Sequence, residues 1–162
     1  MIVFGRRDHY LRNMLKLRTL LFLTALMLPL RALADDAAKT GTLYKDPNCG
    51  CCQEYANYLR QNGYELSVVP TEDLGGLRHE HRVPEELAGC HMAVIDGYVV
   101  EGHVPVDMIN RLLGERPAIK GISLPGMPMG SPGMSGKKSE PFTVLEIAAE
   151  KSDDAPRVYG VE

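Results

Sequence analysis

From Thr42 onward, short apolar runs alternate with amphipathic stretches. Thr42-Leu43-Tyr44 is a brief apolar run ended by Asp46-Pro47-Asn48, which reads as a strand followed by a turn. Between Gln53 and Gln61, Tyr55, Tyr58 and Leu59 recur at helical spacing, and Asn62-Gly63 stops the helix. Tyr64 to Val69 alternates up to Pro70 and predicts a second strand, which completes a βαβ unit. Thr71 to His81 predicts a short helix with Thr71 as its cap and Asp73 in the first turn. Val83-Pro84-Glu85-Glu86-Leu87 reads as a helical turn opened by proline. His91 to Ile95 and Tyr98 to Glu101 flank Asp96-Gly97, a strong hairpin signal. Pro105 opens a further helix with Val106, Ile109, Leu112 and Leu113 on one face, ending at Gly114. From Gly121 to Gly136, proline, glycine and methionine dominate, so this stretch is expected to be a loop rather than a helix or a central strand. Phe142 to Ile147 predicts a strand, and Val158-Tyr159 a short one. There is no internal repeat. The alternation predicts an α/β fold with a central mixed sheet and flanking helices.

The stretch before Thr42 has a different pattern. Arg6, Arg7, Arg12, Lys16 and Arg18 precede an apolar run from Leu20 to Leu30, followed by Ala32-Leu33-Ala34 and the acidic pair Asp35-Asp36. That order predicts a secretory signal peptide over residues 1–34, cleaved after Ala34. The apolar run falls well short of the roughly 20 residues that span a membrane, which disfavours an uncleaved anchor. Met14 is a second candidate start, since Lys16 and Arg18 still supply the positive end. The expected exported chain, residues 35–162, forms one domain without a membrane anchor. It carries twelve Lys and Arg against twenty Asp and Glu, a formal charge of −8, which argues against a nucleic-acid footprint. A chain of this size buries a core without staples, so its four cysteines are not needed as a disulfide scaffold.

The cysteines carry the chemistry. Cys49 and Cys52 have CxxC spacing where a strand meets a helix, so both thiols fall at a helix N-terminus, which favours thiolates. A passive Cys49–Cys52 bridge would close too small a loop to stabilise much. Cys51 adds a third thiol inside the motif. It is a wrong partner for clean disulfide exchange but useful for a soft ion such as Cu(I). Cys90, just before the hairpin, approaches the cluster if its strand lies beside the first strand, as in a thioredoxin-like sheet; the other readings are a buried core cysteine or a bridge to Cys51. A lone histidine is ordinarily structural, but His91 and His103 flank a thiol-bearing hairpin and are candidate copper ligands, with Glu101 as a carboxylate to orient His103. His79 and His81 read as solvated. Met127, Met129 and Met134 lie in the Pro/Gly stretch without core periodicity; thioethers select Cu(I) and resist disulfide formation, while the packing alternative is gap-filling. Ser/His/Asp arrangements, paired-carboxylate sites, phosphate-binding glycine loops and HExxH are all absent from the sequence.

Taken together, these pieces resemble the CopG-type family of periplasmic copper-resistance proteins. The matching segments are Tyr44 to Cys52, Val83 to Leu87, Cys90-His91, Asp96 to Pro105 and Gly121 to Met134. The resemblance implies a thioredoxin-like fold and copper held by Cys49, Cys51, Cys52 and Cys90, with His91, His103, Met127 and Met129 assisting or relaying the metal. It also implies a redox role toward copper, with other periplasmic copper-handling or redox proteins as partners. Two other readings share the thiols. One is a periplasmic thiol–disulfide oxidoreductase acting on proteins, with Cys49 as nucleophile and Cys52 as resolving thiol. The other is a non-catalytic exported domain with Cys49–Cys52 and Cys51–Cys90 bridges.

Overall fold

The computed structural model describes residues 39–152 and 154–162; the leader expected over residues 1–34 lies outside them. Strand β1 (Lys39–Lys45) leads into helix α1 (Gly50–Gln61), then β2 (Tyr64–Pro70) and α2 (Leu74–His81). A 3-10 turn (Glu85–Leu87) precedes the hairpin of β3 (His91–Ile95) and β4 (Tyr98–Gly102). Helix α3 (Val106–Glu115) and strands β5 (Gly121–Leu124), β6 (Thr143–Ile147) and β7 (Val158–Val161) complete the chain. The strands of the described residues join one seven-stranded sheet in the order β2-β1-β3-β4-β5-β6-β7. The β1–β2 and β4–β5 pairs are parallel, each bridged by a helix, and the others are antiparallel. This is the α/β architecture, with a mixed sheet and flanking helices, that the pattern predicts.

The two faces of the sheet have separate cores. Tyr55, Ala56 and Leu59 of α1 and Ile109 and Leu112 of α3 pack against Leu43, Ala93, Ile95, Val100, Ile122 and Val144. On the other face, Val83, Leu87, Met92, Val99 and Ile147 cluster with Leu77 of α2. The central strands are covered on both faces, so they read as near-continuous apolar runs. The period of two still decides which neighbour each side chain meets. At the hairpin, Asp96 (φ 48°) and Gly97 (φ 85°) both take left-handed backbone, as a two-residue turn of the I′ kind requires.

Two local expectations are corrected. Asp73, not Thr71, caps α2: its Oδ1 accepts the Gly76 amide at 2.8 Å, while Thr71 Oγ1 accepts the Asp73 amide at 3.1 Å. Gly121–Leu124 is strand β5, inside the sheet, and not the start of the loop. Ile122 and Leu124 enter the α1/α3 core, and Ser123, on the opposite face, satisfies its buried hydroxyl on the Leu87 carbonyl at 2.7 Å. The loop begins only at Pro125, where the main chain can no longer donate to a ladder.

Candidate metal centre

The turn after β1 is built by short-range hydrogen bonds. The Cys49 amide donates to the Asp46 carbonyl at 3.0 Å and the Asn48 amide to Asp46 Oδ1 at 2.7 Å. Lys45, nearly buried, donates its Nζ to the Asp46 and Pro47 carbonyls at 2.8 and 3.1 Å. Cys49 is thereby set as the N-cap of α1, and its Sγ accepts the Cys52 amide at 3.3 Å. Cys51 and Cys52 lie in the first turn of the helix.

Cys90 comes from across the sheet. Antiparallel pairing sets Lys45 opposite His91, so Cys90 emerges at the sheet end where the Cys49 turn begins. This is the neighbour relation that the expected thioredoxin-like sheet requires of Cys90. Cys49 and Cys52 are joined as a disulfide, and Cys51 and Cys90 are free. Cys51 Sγ stands 3.5 Å from Cys49 Sγ and 3.8 Å from Cys90 Sγ, and all four sulfurs lie within 4.8 Å of one another. Two thiolates on one ion at about 2.3 Å each stand at most about 4.6 Å apart, so reduction of the Cys49–Cys52 disulfide would leave four sulfurs near ligand spacing. Sulfur-only donors suit a soft ion.

The two histidines are fully buried and lean on Tyr55. The ring centroids of His91 and His103 are 4.9 Å apart, and the Tyr55 ring lies 4.5 Å from the first and 5.3 Å from the second. Tyr55 donates its hydroxyl to the Val104 carbonyl at 2.8 Å. Burial, reinforced by His103, pushes His91 down to about 3; burial also lowers His103, so both rings are neutral at neutral pH. His103 Nδ1 meets the Pro132 carbonyl at 2.7 Å, and a carbonyl only accepts, so Nδ1 carries the proton and Nε2 a bare lone pair. Among the described residues that Nε2 has no hydrogen-bond partner, and buried His91 has only the Gly102 backbone close by, too poorly aligned for a good hydrogen bond. Neither ring joins the four-sulfur group within 4.8 Å. Met127 and Met129 are 42% and 54% exposed, and Met129 folds onto Gly136. Their loop rests on α1 through Gly133.

Glu101 does not orient His103. The alternation of β4 puts it with Val99 on the α2 face, where its Oε1 accepts Arg78 Nη2 and Nε at 2.7 and 2.9 Å and the Gly89 amide at 2.9 Å. Sequence reasoning missed Arg78, Gly89 and Tyr55. Counting alternate positions from the Asp96-Gly97 turn would have put Glu101 on the same face as Val99 and on the other face from Val100.

Two solved structures entitled "Copper resistance protein copG", forms 1 and 2, match over 77% and 76% of this chain and 98% of theirs, at 32% and 33% identity with TM-scores of 0.69 and 0.68. The chain belongs to the CopG copper resistance protein family. The family described as "Protein of unknown function, DUF411" also matches, over residues 87–134. That segment of the CopG-type chain holds Cys90, His91, His103, Met127 and Met129, but not the Cys49–Cys52 motif. No curated protein matches the chain.

Proposed function

We propose that the protein is an exported, periplasmic copper-binding protein of copper resistance that takes Cu(I) on the thiolates of Cys49, Cys51, Cys52 and Cys90. The observation that carries this reading is the convergence of four sulfurs within 4.8 Å from two separate parts of the chain. The leader over residues 1–34 directs export. Among the described residues no helix is long and apolar enough to cross a membrane. His91 and His103, neutral and buried against Tyr55, are the borderline donors that assist the thiols, with His103 Nε2 carrying the free lone pair. Met127 and Met129, exposed on their loop, receive Cu(I) first and pass it inward.

Redox cycling follows from the Cys49–Cys52 pair. Closing that dithiol to a disulfide releases two electrons and two protons, and the electrons reduce two Cu(II) to two Cu(I). In that oxidised state only Cys51 and Cys90 remain as thiols, so the four-thiolate site is complete only when the Cys49–Cys52 pair is reduced again. The test is anaerobic Cu(I) loading of the reduced protein. Cys51→Ser is expected to lower the copper number or weaken binding at least roughly tenfold, about 1.4 kcal/mol. Unchanged stoichiometry and affinity would sink the shared-thiolate site.

The alternative, a thiol–disulfide oxidoreductase of proteins, is favoured by one observation: the disulfide caps a helix and Cys49 is partly accessible. Brisk insulin reduction without metal would support it. The Cys51 thiol 3.5 Å from Cys49 weighs against it, as a competing partner inside the motif.

A further inference from the structure

We propose that Arg78 and Glu101 are positioning residues that set the Cys90 thiol against the other three by clamping the peptide of Gly89; the inference deepens the thiolate-copper reading and rests on it. Cys90 lies in the connector between the 3-10 turn and β3, outside any helix or strand ladder. Its thiol is therefore only as well placed as its neighbouring backbone. Gly89 is held on both sides: its amide donates to Glu101 Oε1 at 2.9 Å, and its carbonyl accepts Arg78 Nη2 at 2.7 Å. The same Nη2 reaches Glu101 Oε1 at 2.7 Å, so α2, β4 and the connector close one charge-assisted ring. The backbone approach is as tight as glycine allows. A Cβ on Gly89 would stand 2.6 Å from the Gly102 Cα and 2.8 Å from its amide nitrogen.

The energetics argue for position rather than stability. The Glu101 side chain is fully buried and that of Arg78 17% exposed. Burying such a pair costs several kcal/mol per ion before the attraction returns it, and apolar residues of similar volume commonly stabilise as well or better. What apolar side chains cannot do is fix one peptide group in one orientation. The clamp does so one residue before the only thiol of the site that α1 does not carry.

The experiment uses the full reduced protein in two preparations, metal-free for alkylation and loaded with Cu(I) for metal transfer. Cys90 alkylation by iodoacetamide is followed by peptide mass spectrometry, together with Cu(I) transfer to a chromogenic chelator. The apolar double variant Arg78→Met/Glu101→Leu leaves the Gly89 amide and carbonyl without these partners, so it is expected to fold but to unfold at a lower urea midpoint than wild type. Its Cys90 should alkylate roughly tenfold faster, the scale of one lost charge-assisted hydrogen bond, and its Cu(I) should leave faster. Glu101→Gln, which still accepts the Gly89 amide, should restore near-wild-type alkylation. If the double variant does not fold, Arg78→Lys, with one nitrogen for two acceptors, should show an intermediate rate. Wild-type alkylation of Cys90 in a folded clamp variant would overturn the positioning role. Cys90→Ser, run in parallel, isolates the underlying reading: if it binds Cu(I) as wild type does, the thiolate site fails, whatever the clamp does to Cys90.

Discussion

Replacing Gly133 by alanine tests whether the methionine loop leans on the cysteine helix. Gly133 has φ 79° where the loop crosses α1. A Cβ there would stand 2.6 Å from the Tyr55 amide nitrogen, 2.9 Å from its Cα and 3.0 Å from the Cys51 carbonyl oxygen. All three atoms are helix backbone, so no side-chain rotation relieves the overlap and the loop must lift. Holding alanine in left-handed backbone costs about 1–2 kcal/mol. Lifting the loop also breaks the 2.7 Å bond from His103 Nδ1 to the neighbouring Pro132 carbonyl, which strands a buried imidazole proton at about 1–3 kcal/mol. Gly133→Ala should therefore lose about 2–5 kcal/mol, nearer the lower figure if the loop detaches alone. Urea unfolding of the reduced metal-free protein by tyrosine fluorescence measures the loss, since the chain has no tryptophan. Hydrogen exchange at the Met134 amide, bonded to the Ser131 carbonyl at 2.9 Å, reports whether the loop opened. A loss within about 0.5 kcal/mol with unchanged exchange would refute the argument.

Two further outcomes follow from the buried polar groups. His91 stays neutral in the fold down to about pH 3, whereas the unfolded imidazole takes a proton below about 6.5, so stability is full above 6.5 and falls as pH drops toward 3. From about pH 7 to pH 5 this one residue should cost the metal-free protein about 2 kcal/mol, with His103 adding in the same direction. His91→Phe should flatten the urea-derived pH profile by that amount, and an unaltered slope would mean the ring is not held neutral. Tyr55→Phe keeps the ring against the histidines but strands the Val104 carbonyl. It should lose about 1–3 kcal/mol in urea unfolding at unchanged Cu(I) stoichiometry, and a change in copper number would show that the hydroxyl matters to the site itself.

Features built from near neighbours were legible in the chain. Asp96-Gly97 announced its hairpin because both turn positions need left-handed backbone. That the Cys49 and Cys52 thiols fall at a helix start was legible because CxxC spacing spans only four residues, and the structure makes Cys49 the N-cap. Pro105 opens α3 as expected, although the helix runs to Glu115, just past Gly114. The misreadings came where two local signals competed. Thr71 and Asp73 are both good caps, and the helix that packs Leu77 against the sheet starts after the later one. Gly121–Leu124 was hidden by the proline and glycine that follow it, since a four-residue strand carries little periodicity of its own.

By itself, then, the sequence determined most element types and the thiols at a helix start, because periodicity, caps and turn chemistry act over a few residues, and its motifs carried the resemblance to the CopG-type family. Only the tertiary structure decided that Cys90 meets Cys51 across 39 residues, that His91 and His103 share one buried ring contact, and that Glu101 turns away from them toward Arg78 and Gly89. Those placements follow from strand order and register, which are set when two-sided burial selects one arrangement of the sheet, and no local run of residues encodes that choice.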